Sequence, residues 1–334
     1  MNSKERCLAA INGETVDRTP VFPLLMRFAS KRHFVTYKDY VTNGTIIAES
    51  QIRVIDTFNV DAITSCSDAF RVSADLGGEM VYPLELPPHI SKPIIKSEAD
   101  LNRLKKPNYS APNCRMADRT KAVAEMARSV GDRYLVLGWV DMPFAEACSV
   151  CGVSEFMMML YLDPGLAHKI LTFLTGIVID FCTMQFEAGA PMIGAGDAAA
   201  SLISPDLYRE FALPYEQHVI RAVHAKRGLV KLHICGNTSA LLPFMVESDA
   251  DLFNVDHLVD LSTALSIYNN HHKCTKGNIN PVSDMLQATP QQSSEAAKKC
   301  LALAQGKRYM LSAGCEIPAE TADETFAAFC NSVI

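Results

Sequence analysis

The feature that most constrains the fold of this chain is a regular alternation of strand-like and helix-like segments. From residue 113 onward, short apolar runs that end in polar residues alternate with longer segments that carry helix-capping residues. Two earlier apolar runs, at 21–26 and 60–66, bring the number of predicted strands to about eight. Repeated strand–helix units favour parallel strands joined by right-handed crossovers.

This alternation predicts an α/β fold, and at 334 residues we expect it to close as a (β/α)8 TIM barrel with N-terminal insertions. An open doubly wound sheet is the alternative, but no Gly-rich dinucleotide-binding loop follows the first predicted strand. We interpret residues 1–334 as a single barrel domain, with an irregular Pro-rich insertion at about 71–112. Pro214 is expected to kink the long helix that begins after Ser204.

Composition narrows the function classes. The net charge of −6 and pI near 5.9 give no electrostatic argument for binding nucleic acid or an anionic membrane. The longest apolar run, Ile170 to Phe181, is too short to span a bilayer, and the polar N-terminus shows no secretory signal. We therefore expect a cytoplasmic protein, in which eleven cysteines do not form a disulfide framework.

Polar side chains recur where the predicted strands end. Because active sites of barrel enzymes lie at the carboxyl ends of the strands, these side chains form the candidate site. Asp and Asn also cap helices directly after strands, so each carboxylate has a structural alternative. The residues are Asp68, Asp141, Asp197, His233, Cys235, Asp256, Asn280 and Cys315.

The segment Leu229–Asn237 carries the strongest chemical signal. Side chains alternate along a strand, so Lys231, His233 and Cys235 share one face. An imidazole and a thiolate at one strand end are a ligand pair that zinc prefers. Cys315, at the end of the last strand, is the favoured third ligand. The alternatives are Cys66 and Cys148, and the apolar neighbours of Cys148 favour packing.

Several motifs resemble the uroporphyrinogen decarboxylase superfamily over nearly the whole chain. That resemblance implies the eight-stranded barrel. The motifs are Lys4–Gly13 with Asp17-Arg18-Thr19-Pro20, Ser67-Asp68, Pro143-Phe144, Ser204-Pro205 and Gly277-Asn278-Ile279-Asn280-Pro281.

Within that superfamily, His233-Ile234-Cys235-Gly236-Asn237 and Cys315 resemble the zinc motif of the methylcobamide:coenzyme M methyltransferases. The resemblance implies a Zn²⁺ ion held by these three side chains. It also implies methyl transfer from a methylated corrinoid, such as methylcobalamin, to a small thiol such as coenzyme M. No Asp-x-His-x-x-Gly segment is present, so we expect the corrinoid to arrive on a separate carrier protein.

The decarboxylase branch supplies the main alternative. It lacks the zinc motif, and its second arginine after the first strand is Lys31 here, while its histidine at the last strand is Gly314. Asp68 matches its catalytic carboxylate. The first alternative function is therefore a metal-independent decarboxylase of tetrapyrrole side chains. A second alternative is the same methyl transfer with homocysteine or another thiol as acceptor. A third is a structural zinc site without catalytic activity.

Roles for the remaining residues follow as hypotheses. The imidazole of His233 needs a hydrogen-bond acceptor that fixes its tautomer. Asp197 and Asp256 are the candidates for this acceptor and are the predicted catalytic residues. Lys231 is expected to pair with a buried carboxylate. The sequence leaves open whether the chain forms a homo-oligomer. Candidate substrate-binding residues are Arg27 and Lys31, for the sulfonate of coenzyme M, and Asp68 and Asn280.

Overall fold

The computed structural model describes residues 1–334 and is built around a parallel sheet of seven strands in the order β1-β4-β5-β6-β7-β8-β9. A separate antiparallel pair, β2–β3, lies in the N-terminal half. The strands are β1 Ala62–Thr64, β2 Met80–Val81, β3 His89–Ile90, β4 Leu135–Asp141, β5 Met192–Gly196, β6 Leu229–His233, β7 Leu252–Asn254, β8 Cys274–Ile279 and β9 Tyr309–Ala313.

The segment 21–25 occupies the gap between the first and last strands of this sheet. Val21 forms a parallel bridge with Leu311 of β9, and its carbonyl accepts from the Asp61 N–H beside β1 at 2.8 Å. The predicted first strand is therefore a set of isolated bridges, since Pro23 has no N–H to give to a ladder. With this segment in the eighth position, the predicted barrel-type α/β fold is confirmed.

Sixteen α-helices connect and surround the strands. They are α1 Ser3–Asn12, α2 Arg27–Arg32, α3 Tyr37–Thr42, α4 Gly44–Thr57, α5 Arg71–Asp75, α6 Glu98–Arg103, α7 Arg115–Val130, α8 Pro143–Cys151, α9 Val153–Leu162, α10 Pro164–Glu187, α11 Pro205–Phe211, α12 Leu213–Ala225, α13 Leu242–Met245, α14 Leu261–Asn270, α15 Pro290–Leu303 and α16 Asp323–Cys330.

Local sequence signals explain most of these boundaries. The helix after Ser204 breaks at Ala212 into α11 and α12, because Pro214 cannot donate a helical hydrogen bond and crowds the preceding turn. The sequence pattern assigned no helix to residues 143–151, where the structure has α8. Pro143 begins it, and its buried, apolar surface is packed on nearly every side.

The insertion at 71–112 is more regular than its proline content suggests. It contains α5, the β2–β3 pair and α6, and it buries Leu76, Ile95 and Leu101 in the main hydrophobic cluster. The apolar residues between the prolines therefore anchor this segment to the barrel.

Helix α10 is long and apolar enough to cross a membrane by length and composition alone, and the bent pair α8–α9 passes the same test. In the protein, 56% of the apolar window of α10 is buried. Its buried side chains, including Ile170, Leu174 and Phe181, belong to the same cluster of 82 residues as the barrel strands. The helix thus packs as part of the protein core.

Strand register places the candidate site. Asp141, Gly196, His233, Asn254 and Lys276 are successive partners across β4 to β8, so their side chains form one layer that faces the barrel interior. The layer beneath it, further from the carboxyl ends, contains Trp139, Gly194, Lys231, Leu252 and Cys274.

Candidate metal centre

Three side chains from two distant parts of the chain meet at the carboxyl end of the barrel. The Nε2 atom of His233 lies 3.0 Å from the Sγ atom of Cys235, which lies 3.7 Å from the Sγ atom of Cys315. All three ligand atoms lie within 4.8 Å of one another, and the group has no fourth member. The predicted ligand set is therefore brought together, although 80 residues separate the two cysteines.

This donor set fits a zinc ion. In a tetrahedral zinc site, bond lengths of about 2.3 Å to sulfur and 2.0 Å to nitrogen place two sulfurs about 3.7 Å apart. The observed distance between the Cys235 and Cys315 sulfurs is 3.7 Å. The imidazole–sulfur distance of 3.0 Å would widen by about half an ångström in such a site. Three protein donors leave the fourth position to another ligand, as in catalytic zinc sites.

The two rival cysteines lie elsewhere. The sulfur of Cys66 contacts the Met26 sulfur at 3.3 Å, and Cys148 is buried in α8 beside Cys151. Burial raises the pKa of the Cys148 thiol, and neither rival belongs to the metal-ligand group. Packing is the role that the structure supports for both of them.

The protein holds the imidazole of His233 through its other nitrogen. Nδ1 lies 3.0 Å from the backbone carbonyl of Asn254, the register partner of His233 on β7. If Nδ1 carries the proton, the Nε2 lone pair faces the two sulfurs. The expectation that Asp197 or Asp256 accepts this hydrogen bond is wrong, because β7 places the Asn254 carbonyl within hydrogen-bond distance of Nδ1.

The sulfur atoms of Cys235 and Cys315 lie within hydrogen-bond distance of each other, at 3.7 Å. The hydrogen bond from the Cys235 thiol lowers the pKa of Cys315 to about 4, and the same bond raises the pKa of Cys235. Metal binding would deprotonate both cysteines, because a coordinating thiol binds as the thiolate.

Asp256 supports the loop that follows Cys235. One carboxylate oxygen accepts from the Gly236 N–H at 3.0 Å, and the other accepts from the Leu258 N–H at 3.0 Å. Gly236 has a φ of 88°, and a side chain on Gly314 would come within 2.3 Å of the His257 nitrogen. Asp256 thus links the loop after Cys235 to the loop after β7 and is not a member of the ligand group.

Asp197 lies behind the metal centre and faces away from it. Its backbone N–H donates to the His233 carbonyl at 2.9 Å, while its carboxyl group accepts from the Ala145 N–H at 2.8 Å and meets Glu216. Burial raises the pKa of Asp197, and the Glu216 carboxyl group raises it further. The side chain is fully buried, which places it outside the candidate catalytic surface.

Asp68 and Asn280 are also occupied by the protein itself. Both oxygens of Asp68 bind the Arg115 guanidinium, at 3.0 and 2.7 Å. Burial opposes the charged form, but Arg115 outweighs it and holds the pKa of Asp68 below its ordinary value. Asn280 accepts from the N–H groups of Val282 and Ser283, as a capping residue does. Both side chains therefore have structural partners within the protein, an ion pair for Asp68 and backbone N–H groups for Asn280.

Arg27 and Lys31 line a separate cavity of about 480 Å³ that none of the metal ligands borders. The Lys31 ammonium lies 3.8 Å from the Glu320 carboxylate at the surface. The backbone N–H of Arg27 donates to Glu316, the residue after Cys315, at 2.7 Å. Arg27 is therefore connected to the metal-site loop, whereas Lys31 is not.

Lys231 lies below the metal ligands without the carboxylate partner that we expected. Its Nζ atom lies 4.3 Å from the centre of the Trp139 ring, and burial lowers its pKa to about 8. Its favourable charge interactions are with the thiols of Cys66, Cys315 and Cys235. The prediction was wrong because Gly194 and Gly196 on β5 leave space that the Trp139 ring fills.

Sequence reasoning missed one group at the rim, Glu316, whereas Asp141 was named among the polar residues at the strand ends. Glu316 follows Cys315 directly, and burial raises its pKa to about 7. Asp141 shares its layer with His233, is bound by Arg71, and has its pKa raised by burial to about 6. Asp141 also borders a mostly apolar cavity of about 510 Å³ next to the ends of β4 and β5. The position of Glu316 directly after the predicted ligand Cys315 was the one sequence feature that could have identified it.

Comparison with known proteins agrees with the motifs. The chain is 30% identical over 240 residues to the methylcobamide:CoM methyltransferase MtbA of Methanosarcina mazei, which covers 71% of this chain and 68% of that protein. It is 26% identical over 343 residues to the uroporphyrinogen decarboxylase of Parasynechococcus marenigrum, which covers 97% and 94%. A solved methyltransferase structure from Methanosarcina mazei matches the fold with a TM-score of 0.90 at 21% identity, over 99% of this chain and 98% of that one. Residues 2–334 match the uroporphyrinogen decarboxylase (URO-D) family, and the chain belongs to that family.

Proposed function

We propose that this protein is a zinc-dependent methyltransferase that moves a methyl group from a methylated corrinoid, carried by a partner protein, to a small thiol such as coenzyme M. One observation carries the proposal: an imidazole and two thiols, and no fourth protein ligand, converge at the carboxyl end of the barrel. A structural zinc site would be expected to have four protein ligands.

The relatives support the same activity. MtbA proteins from two Methanosarcina species, named as methylcobamide:CoM methyltransferases, are 30% and 29% identical to this chain. Uroporphyrinogen decarboxylases match at 24% to 28% identity over 87% to 98% of this chain, and the Methanosarcina acetivorans MtbA matches over 95% of it. The metal-ligand group is the feature that favours the methyltransferase, because decarboxylation in this family calls for no such group.

Each residue of the site has a separable task in this proposal. His233, Cys235 and Cys315 would hold the ion, with Asn254 fixing the imidazole and Asp256 fixing the loop after Cys235. Zinc, when bound, would lower the pKa of a thiol acceptor so that it is present as the nucleophilic thiolate. Two thiolates and one neutral imidazole balance the charge of the ion, which keeps an acceptor sulfur electron-rich.

The test measures zinc content and methyl transfer on the same samples. Purified protein should contain about one zinc per chain and should demethylate free methylcobalamin in the presence of coenzyme M. Cys235→Ser and Cys315→Ser should lose both zinc and activity, since a serine hydroxyl is a poor zinc ligand. Cys148→Ser, a buried cysteine outside the ligand group, serves as the control and should keep both.

Two results would contradict the proposal. The first is metal-free protein with full activity, and the second is release of carbon dioxide from a tetrapyrrole substrate with no dependence on zinc. Parallel assays with coenzyme M and homocysteine identify the acceptor, because the same zinc chemistry serves both thiols.

A further inference from the structure

A mostly apolar cavity of about 510 Å³ opens beside the metal centre. It lies between the segments that follow β1, β4 and β5, and its walls include Phe70, Ala145, Ala198 and Leu202. Segments that follow strands lie on the carboxyl face of a barrel, so the cavity shares that face with the three metal ligands. Its volume falls within the range of small-molecule sites, about 300 to 1,000 Å³.

Asp141 connects this cavity to the layer of the metal ligands. It is the register partner of Gly196 on β5, which is in turn the partner of His233 on β6. Two strand spacings, about 10 Å, therefore separate Asp141 from His233 along the layer. In a corrinoid, amide side chains extend from the edge of the ring and reach a comparable distance from the cobalt. A ring with its edge in the cavity would thus have its centre close to the metal site.

The charged groups around the cavity indicate which side chains a ligand can carry there. The lining residues include one carboxylate, Asp141, no lysine or arginine, and one histidine, His89, which is exposed. The Arg71 guanidinium donates to Asp141 but is completely buried and is not a lining residue, whereas the Asp141 side chain is 11% exposed. A ligand therefore meets the carboxylate first. Because buried carboxylates need basic partners, this cavity suits a neutral ligand better than an acidic one.

We propose that this cavity is a subsite for the edge of the corrin ring, and that it selects a ring with neutral amide side chains over one with carboxylate side chains. The inference rests on the proposed function above. Asp141 accepts a hydrogen bond from a side-chain amide of the ring, and the apolar walls contact the methyl groups at its edge. Uroporphyrinogen, whose side chains are carboxylates, would meet the like charge of Asp141 without a lysine or arginine to offset it.

The experiment compares two corrinoids that share one ring. Cobinamide carries amide side chains, and cobyrinic acid carries carboxylates instead, so their affinity ratio isolates the charge of the side chains. Both are used as dicyano forms, in which the cobalt has no open position for a protein thiol. They are titrated at pH 8, where Asp141, whose pKa burial raises to about 6, is ionised. Corrinoids absorb where tryptophan emits, so quenching of Trp139, the only tryptophan, reports binding. Zinc content is measured on each sample.

We expect the wild type to bind cobinamide about tenfold or more tightly than cobyrinic acid, because only the acid brings like charges together. Asp141→Asn should bring the two affinities within about threefold of each other, since it removes the repelling charge. Ala198→Phe should weaken both ligands about tenfold, because Ala198 is exposed at the cavity and a larger side chain occupies the space of the ring.

Two further variants keep the test independent of folding. If Asp141→Asn does not fold, because Arg71 loses its carboxylate partner, Leu202→Glu takes its place. Leu202 borders the cavity and is 65% exposed, so the substitution adds a like charge without altering the core and should increase the preference for cobinamide. Leu303→Glu is the matched control, because Leu303 is 51% exposed on α15 and does not border the cavity, and it should keep both affinities.

Several results would overturn the inference. They are equal affinities for the two corrinoids in the wild type, tighter binding of cobyrinic acid, an unchanged ratio in folded Asp141→Asn, and wild-type affinities in Ala198→Phe. An equal change in Leu202→Glu and Leu303→Glu would also refute it. The proposed function survives these results if the protein holds zinc and demethylates methylcobalamin with a thiol. Wild-type protein that does neither would contradict the proposed function instead, whichever corrinoid it binds, so the two failures are distinguishable.

Discussion

At the scale of single residues, the metal centre depends on side chains that never touch the ion. Asp256 joins the loop after Cys235 to the loop after β7 through two backbone N–H groups. Its carboxylate also lies 2.9 Å from Nδ1 of His257. These contacts hold one sulfur ligand in place relative to the imidazole, so the affinity for zinc should depend on them.

We therefore expect Asp256→Asn to reduce zinc affinity about 10- to 100-fold while the protein stays folded, as loss of an outer ligand-supporting group does in other zinc sites. The measurement is a competition titration with a chromophoric chelator. Asp260→Asn is the matched control, because Asp260 caps α14 through Thr263 and Asn is an equally good cap. Equal zinc affinities in the two variants would refute a supporting role for Asp256.

The same scale shows what sequence reasoning could and could not find. His233, Cys235 and Cys315 were predictable because each lies at a strand end with a side chain that zinc prefers. The carbonyl of Asn254, the guanidinium of Arg115 and the ring of Trp139 were not. Each comes from another element, and its position depends on strand register and packing that no local pattern contains.

At the scale of elements, β5 and α12 are joined by a pair of buried carboxyl groups. Asp197 and Glu216 face each other, and the Tyr208 hydroxyl donates to Glu216 at 2.6 Å. Burial raises the pKa of Glu216 to about 7. Burial and the neighbouring carboxyl group also raise the pKa of Asp197, so the neutral forms of both groups are favoured where α12 packs beside the end of β5.

This pair should make the protein less stable as pH rises from about 4.5 to about 7. The pKa of Glu216 is higher in the folded chain than in the unfolded chain, so the folded state binds more protons in that window and stability falls with pH. Glu216→Gln should reduce this decline, because Asp197 alone then contributes to it, and should stabilise the protein at pH 8 by on the order of 2 kcal/mol.

Urea unfolding across that pH range measures the effect. The exposed Glu187 on α10 provides the control, and Glu187→Gln should unfold like the wild type at every pH. If Glu216→Gln has the same pH dependence as the wild type, Glu216 does not contribute to the decline.

Element boundaries were predicted best where a residue has a strong local preference. Pro214 marked the break between α11 and α12. The first strand and α8 were missed or overstated. The first strand was predicted as regular, but Pro23 interrupts its hydrogen-bond ladder and leaves isolated bridges. Helix α8 was missed because it is apolar on nearly every side, so its sequence pattern does not distinguish a helix from another buried segment.

At the scale of the whole molecule, one hydrophobic cluster of 82 residues runs from Val21 to Cys330. We therefore interpret the chain as one domain. None of the three metal ligands belongs to this cluster. An apolar core of this size predicts that the fold does not depend on a metal ion, unlike small zinc domains whose folding depends on the ion.

Removal of zinc with a chelator should therefore lower the melting temperature and leave the far-ultraviolet circular dichroism spectrum unchanged. Zinc at about a thousand times its dissociation constant should stabilise the protein by about 4 kcal/mol. Cys315→Ser should show no zinc-dependent shift in thermal unfolding. Loss of helical signal on chelation would show instead that the ion is needed for the fold.

The distance along the chain between the ligands has a consequence for biosynthesis. His233 and Cys235 are synthesised well before Cys315, which lies 80 residues after Cys235. A nascent chain without the last strand would present only two of the three donors. Tight metal binding would therefore require β9 to have docked beside segment 21–25.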